Sequence, residues 1–225
     1  MNYAKYACVN AWFTSFVFSV LLLIFILTGV SQQPFEGVRA LAVHVEQLKE
    51  NSFWLQTLLA IDNIFIVLYV TTSLLITLAL KKAHNQLLLA FFLGGVTLVG
   101  FLDFAENHHI ASQLASVTAD LPITATALQV QMVLSTLKWH IGYFTFFAVG
   151  FAIEPQSRWE RVFQVLLFIQ LPFGVLAYTT YSPAITRTFI LLRYFNFLVG
   201  FIAFALLMRV RSAEFRSAQP AADPA

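Results

Sequence analysis

The sequence predicts an all-α polytopic membrane protein, a bundle of six transmembrane helices with an amphipathic helix on the outer surface. Two observations lead to this fold class. Of the 225 residues, 59% are hydrophobic and only 11% are charged, whereas about 25% of the residues in a soluble domain are charged. In addition, six apolar stretches reach the roughly 20 residues that a helix needs to cross a bilayer.

The six stretches follow one another along the chain. They lie near 11–30, 53–80, 86–107, 123–153, 161–181 and 184–208. The first is interpreted as an uncleaved helix, because its apolar run is longer than the core of a signal peptide. Residues 1–211 are therefore expected to form a single transmembrane domain, followed by a disordered tail over residues 212–225.

The connection between the first two stretches has a helical pattern of its own. Between residues 34 and 51, Val38, Leu41, Val45 and Leu48 recur at helical spacing, which predicts an amphipathic helix that lies on the outer surface.

The distribution of lysine and arginine predicts the orientation. With an inner N-terminus, the inner segments hold eight of these residues and the outer segments hold three. The inner ones are Lys5, Lys81, Lys82, Arg158, Arg161, Arg209, Arg211 and Arg216, and the outer ones are Arg39, Lys49 and Arg187. By the positive-inside rule, both termini are cytoplasmic and the protein resides in the inner (plasma) membrane.

Ionisable side chains occur inside four of the apolar stretches, where they are costly and mark a bundle interior or a working site. Counted from the inner anchors of their helices, Asp62, Asp103, Lys138 and Arg193 lie roughly 24–28 Å above the inner face. Glu106 is expected at the outer boundary, nearest the mouth of a cavity. The sequence therefore predicts one polar site in the outer leaflet.

The residue types indicate roles within this site. Asp103, Glu106 and His140 are candidate catalytic groups, because carboxylates and imidazoles transfer protons. The candidate ligand-binding residues are Asp62, Asn63, Asn107, Lys138, Arg193 and Asn196. The sequence requires no cofactor. If a divalent metal ion is bound, its ligands would come from Asp103, His108, His109 and His140.

A motif shared by two consecutive stretches carries a family resemblance. Asp62-Asn63, with Tyr69 one heptad later, is followed on the next helix by Asp103-x-x-Glu106-Asn107. This pattern resembles a group of small bacterial six-span membrane proteins with an Asp-x-x-Glu-Asn signature, for which no activity is established. The resemblance implies the fold and supplies no function. Membrane metal hydrolases of the alkaline-ceramidase and adiponectin-receptor type also use intramembrane Asp and His, but this chain lacks their late His-x-x-x-His pair.

Three functions are compatible with such a site. The first is an intramembrane site that binds a small polar or ionic ligand or a lipid headgroup, in a transporter, channel or binding protein. The second is a membrane-embedded hydrolase or other lipid-modifying enzyme. The third is a structural or accessory subunit whose ion pairs only fix helix packing. The formal net charge of +2 and the scattered basic residues argue against a nucleic-acid partner, and a single cysteine, Cys8, excludes internal disulfides. The expected partner is thus the lipid bilayer, and the oligomeric state is not encoded in any pattern.

Overall fold

The computed structural model describes residues 2–37, 39–80, 85–155, 157–179 and 183–217. Within these ranges the chain is entirely helical, with seven α-helices and one short 3-10 helix. The α-helices are α1 (Tyr3–Thr28), α2 (Leu41–Glu50), α3 (Ser52–Leu80), α4 (Gln86–Thr118), α5 (Ala125–Gly150), α6 (Arg158–Thr179) and α7 (Pro183–Ser217), and the 3-10 helix covers Gln33–Phe35.

Local signals explain several of the helix ends. The side chain of Asn2 accepts a hydrogen bond from the amide of Lys5 at the start of α1, and the side chain of Thr124 accepts one from the amide of Ala127 at the start of α5. Such caps satisfy amides that have no partner within the helix. Gly29 ends α1 in the left-handed conformation that glycine adopts without strain.

The six long helices form a closed ring. Each of them packs against its neighbours in the order α1, α3, α4, α5, α6 and α7, and α7 returns to α1. Neighbouring helices run antiparallel, as contacts along their lengths show. Two contacts at each interface run in opposite directions along the two helices. They are Asn10–Thr72 and Phe18–Phe65, Asp62–Asn107 and Tyr69–Asp103, Asp103–Lys138 and Glu106–Gln131, Phe147–Phe168 and Gly150–Gln164, Phe163–Phe204 and Gln170–Asn196, and Asn2–Ser212 and Phe18–Phe197. The start of α1 and the end of α7 therefore lie at one side of the ring, here called the terminal side, and α2 lies at the other, called the α2 side.

Five of the described helices are long and apolar enough to cross a membrane, namely α1, α3, α4, α6 and α7. The length and apolar composition of these five helices indicate a membrane protein. Helix α5 is not among the five, although it is 26 residues long, because polar side chains such as Gln131, Ser135 and Lys138 interrupt its apolar sequence.

Helix α4 is longer than the sequence predicted. It continues from residue 107 to Thr118 because Ile110, Leu114 and Val117 are buried against residues of α2 and α3. The Asp103–Asn107 motif, expected at the end of a helix, therefore lies inside one, with about 16 Å of helix beyond it.

The segment before α3 differs from the predicted single helix. Residues 33–35 form the 3-10 helix, with Pro34 in its first turn, and α2 begins only at Leu41. Its buried face consists of His44 and Leu48, while Leu41 is 37% exposed. Val38, which belonged to the predicted pattern, lies outside the described residues.

The last helix also extends past its predicted end. Helix α7 continues to Ser217, six residues into the segment expected to be a disordered tail. Residues 218–225 of that tail, and the inner anchors Lys81 and Lys82, lie outside the described residues.

Candidate functional site

Lys138 is the centre of a buried charge cluster. Its side chain, on α5, is surrounded by three carboxylates, two from α4 and one from the connection that follows the 3-10 helix. The Nζ atom lies 3.0 Å from Oδ1 of Asp103, forms an ion pair with Glu106, and is 3.8 Å from Oε1 of Glu36. Lys138 is only 4% exposed. An ammonium group at this depth is stable only when it is paired in this way.

Glu106 is the most deeply buried carboxylate of the cluster, with 0% exposure. The hydroxyl of Ser135 donates to its Oε1 at 2.7 Å, and Nε2 of Gln131 donates to the same atom at 3.3 Å. Gln131, Ser135 and Lys138 lie at i, i+4 and i+7 on α5, so one face of that helix supplies all three contacts. The sequence placed Glu106 nearest the cavity mouth. The structure instead places it between α4 and α5, because α4 continues beyond it.

Asp103 joins the cluster to α3. The hydroxyl of Tyr69 donates to its Oδ2 at 3.2 Å, while its Oδ1 accepts from Lys138. Tyr69 lies two turns from Asp62 on the same face of α3. The sequence signal that singled out Asp62, Tyr69 and Asp103 thus corresponds to one continuous contact between α3 and α4.

Asp62 is held by an amide network next to Asp103. The side-chain Nδ2 of Asn107 donates to Oδ2 of Asp62 at 2.8 Å and to Oδ1 of Asn63 at 3.0 Å. Gln32, in the connection after α1, donates to Asp62 at 3.4 Å and to Asn107 at 3.2 Å. The network therefore ties three segments together around one carboxylate.

Glu36 is a member of the cluster that the sequence did not indicate. It follows the 3-10 helix and is 5% exposed. Besides its approach to Lys138, its Oε2 accepts a hydrogen bond from Nε1 of Trp139 at 2.9 Å. Glu36 lies outside every predicted span. The one available signal is the preceding Pro34-Phe35 pair, since the burial of Phe35 holds this connection against the bundle.

Arg193 lies beside the cluster but in aromatic surroundings. Its guanidinium carbon is 3.7 Å from the ring centroid of Trp139 and 4.8 Å from that of Tyr194. Its Nη1 atom donates to the hydroxyl of Tyr143 at 2.7 Å. Such cation–π contacts stabilise a desolvated guanidinium. Trp139 thus contacts Arg193 with its ring face and Glu36 with its indole N–H.

Four other candidate residues lie away from Lys138. Asn196 donates to the carbonyl of Leu166 at 3.0 Å and to Oε1 of Gln170, both on α6. His108 and His140 are exposed on the bundle surface, and Nδ1 of His140 is 2.8 Å from the carbonyl of Thr136. His109 contacts the carbonyl of Ala127.

The histidines are therefore not gathered around Asp103. Across the described ranges, no group of three or more His, Cys, Asp or Glu side chains is arranged to hold a metal ion. The acid–base candidates Asp103 and Glu106 are within reach of one lysine, whereas His140 is on a different face of α5.

A cavity of about 110 Å³ adjoins the cluster on the α2 side. Its polar wall includes Gln32, Glu36, Asp62, Asp103 and Lys138, and its apolar wall includes Phe18, Leu21, Leu22, Phe25, Leu58 and Phe65. We call this cavity the head cavity. A pocket with a few convergent polar groups on otherwise apolar walls is typical of ligand sites.

The formal charge around the head cavity is negative. Glu36, Asp62, Asp103 and Glu106 contribute four negative charges, and Lys138 with Arg193 contributes two positive charges. The formal excess is therefore two negative charges, one of which comes from Glu36. In a water-poor interior this excess attracts a cation or a proton-donating group.

Comparisons with known proteins add no relative: no family model, no curated protein and no solved structure matches the chain.

Proposed function

We propose that this membrane protein binds a small polar or ionic ligand, or the headgroup of a lipid, in the head cavity. The observation that carries the proposal is the cavity itself, which is lined by three carboxylates and one buried lysine. Ionisable groups that face an intramembrane cavity are usually functional. The formal excess of negative charge favours a ligand with a cationic group such as an ammonium.

The hydrogen-bond network supports a site that is organised before the ligand arrives. Asp62 is held by Asn107 and Gln32, and Asp103 is held by Tyr69 and Lys138. A ligand that enters therefore meets fixed acceptor oxygens, so little ordering of side chains opposes binding.

The ring supports six transmembrane crossings. Helices α4 and α6 both qualify as spans, and each runs antiparallel to α5. They therefore point in the same direction, and the chain between them has to return across the membrane. Helix α5 is the helix that connects them, and its contacts with α4 extend from Gln131 to Thr145, about 21 Å.

The orientation follows the distribution of positive charge. We propose that the terminal side faces the cytoplasm and the α2 side faces outward, which places the head cavity in the outer half of the plasma (inner) membrane. Helix α2 would then lie as an amphipathic helix on the outer surface. Reporter fusions test this: a cytoplasmic reporter after Ala225 and a periplasmic reporter inserted after Gly37 should both be active, and the opposite pattern would reverse the orientation.

Ligand binding is tested with small probes that differ only in charge. The purified protein in lipid nanodiscs is heated with n-butylammonium, n-butanol or n-butanoate, and unfolding is followed by the Tm. A ligand at 100 times its Kd stabilises a protein by about 2.7 kcal/mol. We expect n-butylammonium to raise the Tm and the other two probes to leave it nearly unchanged.

Variants assign the effect to the head cavity. Asp62→Asn and Glu36→Gln should weaken the ammonium effect, because each removes one negative charge from the wall of the cavity. Glu50→Gln is the matched control, since Glu50 is exposed on α2. If the ion pairs are only structural, no probe will shift the Tm selectively and the three variants will respond alike. That result would refute the proposed function.

A further inference from the structure

Two more cavities lie below the head cavity along the axis of the ring. The middle cavity, about 70 Å³, shares Phe18, Phe65, Asp103, Lys138, Trp139 and Tyr194 with the head cavity. The lower cavity, about 60 Å³, shares Phe146, Phe197 and Phe201 with the middle one. The three cavities therefore lie end to end, from the charge cluster towards the terminal side.

The walls of the middle and lower cavities are almost wholly apolar. The middle cavity is lined mainly by aromatic rings, with Asp103 and Lys138 at its upper end. The lower cavity is lined mainly by phenylalanine, leucine, isoleucine and valine, with Ser73, Gln170 and Asn196 as its polar side chains. A buried water needs two to four polar partners, which the middle cavity offers only at its upper end. Its natural occupant is therefore a hydrocarbon group.

Two glycines keep this space open. Gly142 lines the middle cavity, where an added Cβ would approach only Val99, at 3.7 Å or more. Gly200 lines the lower cavity, and an added Cβ there would meet nothing within 4 Å. A larger side chain at either position would project into the passage without displacing backbone.

We propose that the ligand of the head cavity carries one long alkyl or prenyl chain, which occupies the middle and lower cavities. From Lys138 to Val149, which lines the lower cavity, α5 rises about 16 Å. This length exceeds half of a hydrocarbon core about 30 Å thick, so the passage is about as long as one lipid tail. Rotation of the shared rings of Phe146, Phe197 and Phe201 joins the two lower spaces. The inference rests on the proposed function and specifies its ligand as a single-chain cationic amphiphile.

A chain-length series tests the passage. Binding of n-alkylammonium ions from butyl to hexadecyl is measured in nanodiscs for Gly142→Leu, Gly200→Leu and Gly94→Leu. Gly94 is the matched control, because it is exposed on the outside of α4 and an added Cβ meets nothing within 4 Å. Dividing each affinity by that of the control cancels the partitioning of longer chains into lipid.

The two cavity variants should begin to lose binding at different alkyl-chain lengths. Gly142 lies about 6 Å below Lys138 along α5 and Gly200 about 10 Å below Arg193 along α7. We therefore expect Gly142→Leu to weaken binding at least tenfold from hexyl or octyl onward, and Gly200→Leu only from about dodecyl. If n-butylammonium binds but both variants equal Gly94→Leu at every length, the chain proposal is wrong and the proposed function stands. If no alkylammonium binds to any of the proteins, both the chain proposal and the proposed function are wrong.

A second measurement needs no substitution in the passage. Trp139 borders both upper cavities, whereas Trp12, Trp54 and Trp159 are 43%, 40% and 37% exposed. In a variant with Phe at those three positions, an alkylammonium brominated near its head should quench Trp139 saturably, and unlabelled hexadecylammonium should reverse the quenching. Quenching that only rises in proportion to the probe, as expected for a tryptophan in contact with lipid, would contradict occupancy of the passage.

Discussion

Replacement of Lys138 by methionine tests how much of the fold depends on the charge cluster. Methionine has a similar length and removes the cation without leaving a large void. Asp103 and Glu106, which are buried against Lys138, then lose their common counter-ion. Removing one partner of a buried ion pair costs about 3–5 kcal/mol, because the remaining charge is uncompensated.

The expected change can be measured as a shift in Tm. For a chain of this length, 1 kcal/mol corresponds to about 2–4 °C, so Lys138→Met should lower the Tm by roughly 6–20 °C. Lys49→Met is the matched control. Lys49 pairs with Asp120 at 3.5 Å, but both side chains are largely exposed, and such surface pairs contribute little.

Glu106→Gln should restore part of the stability when it is combined with Lys138→Met, since it removes one of the two orphaned charges. Alone, it should cost less than Lys138→Met, because the cluster has a formal excess of carboxylates and glutamine still accepts from Ser135. If Lys138→Met and Lys49→Met lower the Tm equally, the cluster does not depend on its lysine and the reasoning fails.

Two further predictions concern helix packing and pH. Gly95→Ala should destabilise the protein by about 1–3 kcal/mol, because the new Cβ collides with Thr145. Gly94→Ala, one residue earlier, is the control and should be neutral or stabilising. Equal Tm values for the two variants would contradict the α4–α5 contact. His44 has a pKa below its usual value, because burial disfavours the charged ring and the nearby positive charge of Arg39 adds to this, although its hydrogen bond with Gln113 opposes the shift. The stability that neutral His44 confers is present above a pH of about 6.5 and is lost as the pH falls. Between pH 7.5 and 5.5 the Tm of the wild type should therefore fall more than that of His44→Gln, and parallel curves would exclude this role.

Much of the fold could be predicted from the sequence, because a helix that crosses lipid requires a long apolar run and such runs are visible in the sequence. Long apolar runs indicated α1, α3, α4, α6 and α7, all of which qualify as spans in the structure. The ends of α4 and α7 could not be predicted in this way. The end of α4 depends on tertiary contacts, such as the burial of Ile110 and Leu114 beside α2, and a search for apolar runs does not detect such contacts.

The site was predictable where its residues share a helix face, as Asp103 and Glu106 do with the lysine opposite them. It was not predictable where a connecting segment folds back. Glu36 joins the cluster through such a segment, and no periodicity marks it. Arg193 was expected among carboxylates, yet sequence alone does not distinguish an ion pair from the stacking on Trp139 that the structure shows.

The closed ring has a consequence for how the protein is made. Because synthesis proceeds from the N-terminus, Glu36, Asp62, Asp103, Glu106 and Lys138 have all been synthesised once α5 is complete. The most costly charges can thus neutralise one another before α6 and α7 exist. Arg193 arrives last, on α7, and finds Trp139 and Tyr143 already in place as partners. Helix α1 contacts α7 as well as α3. The side of α1 that packs against α7 therefore has no helix partner until α7 is synthesised and closes the ring.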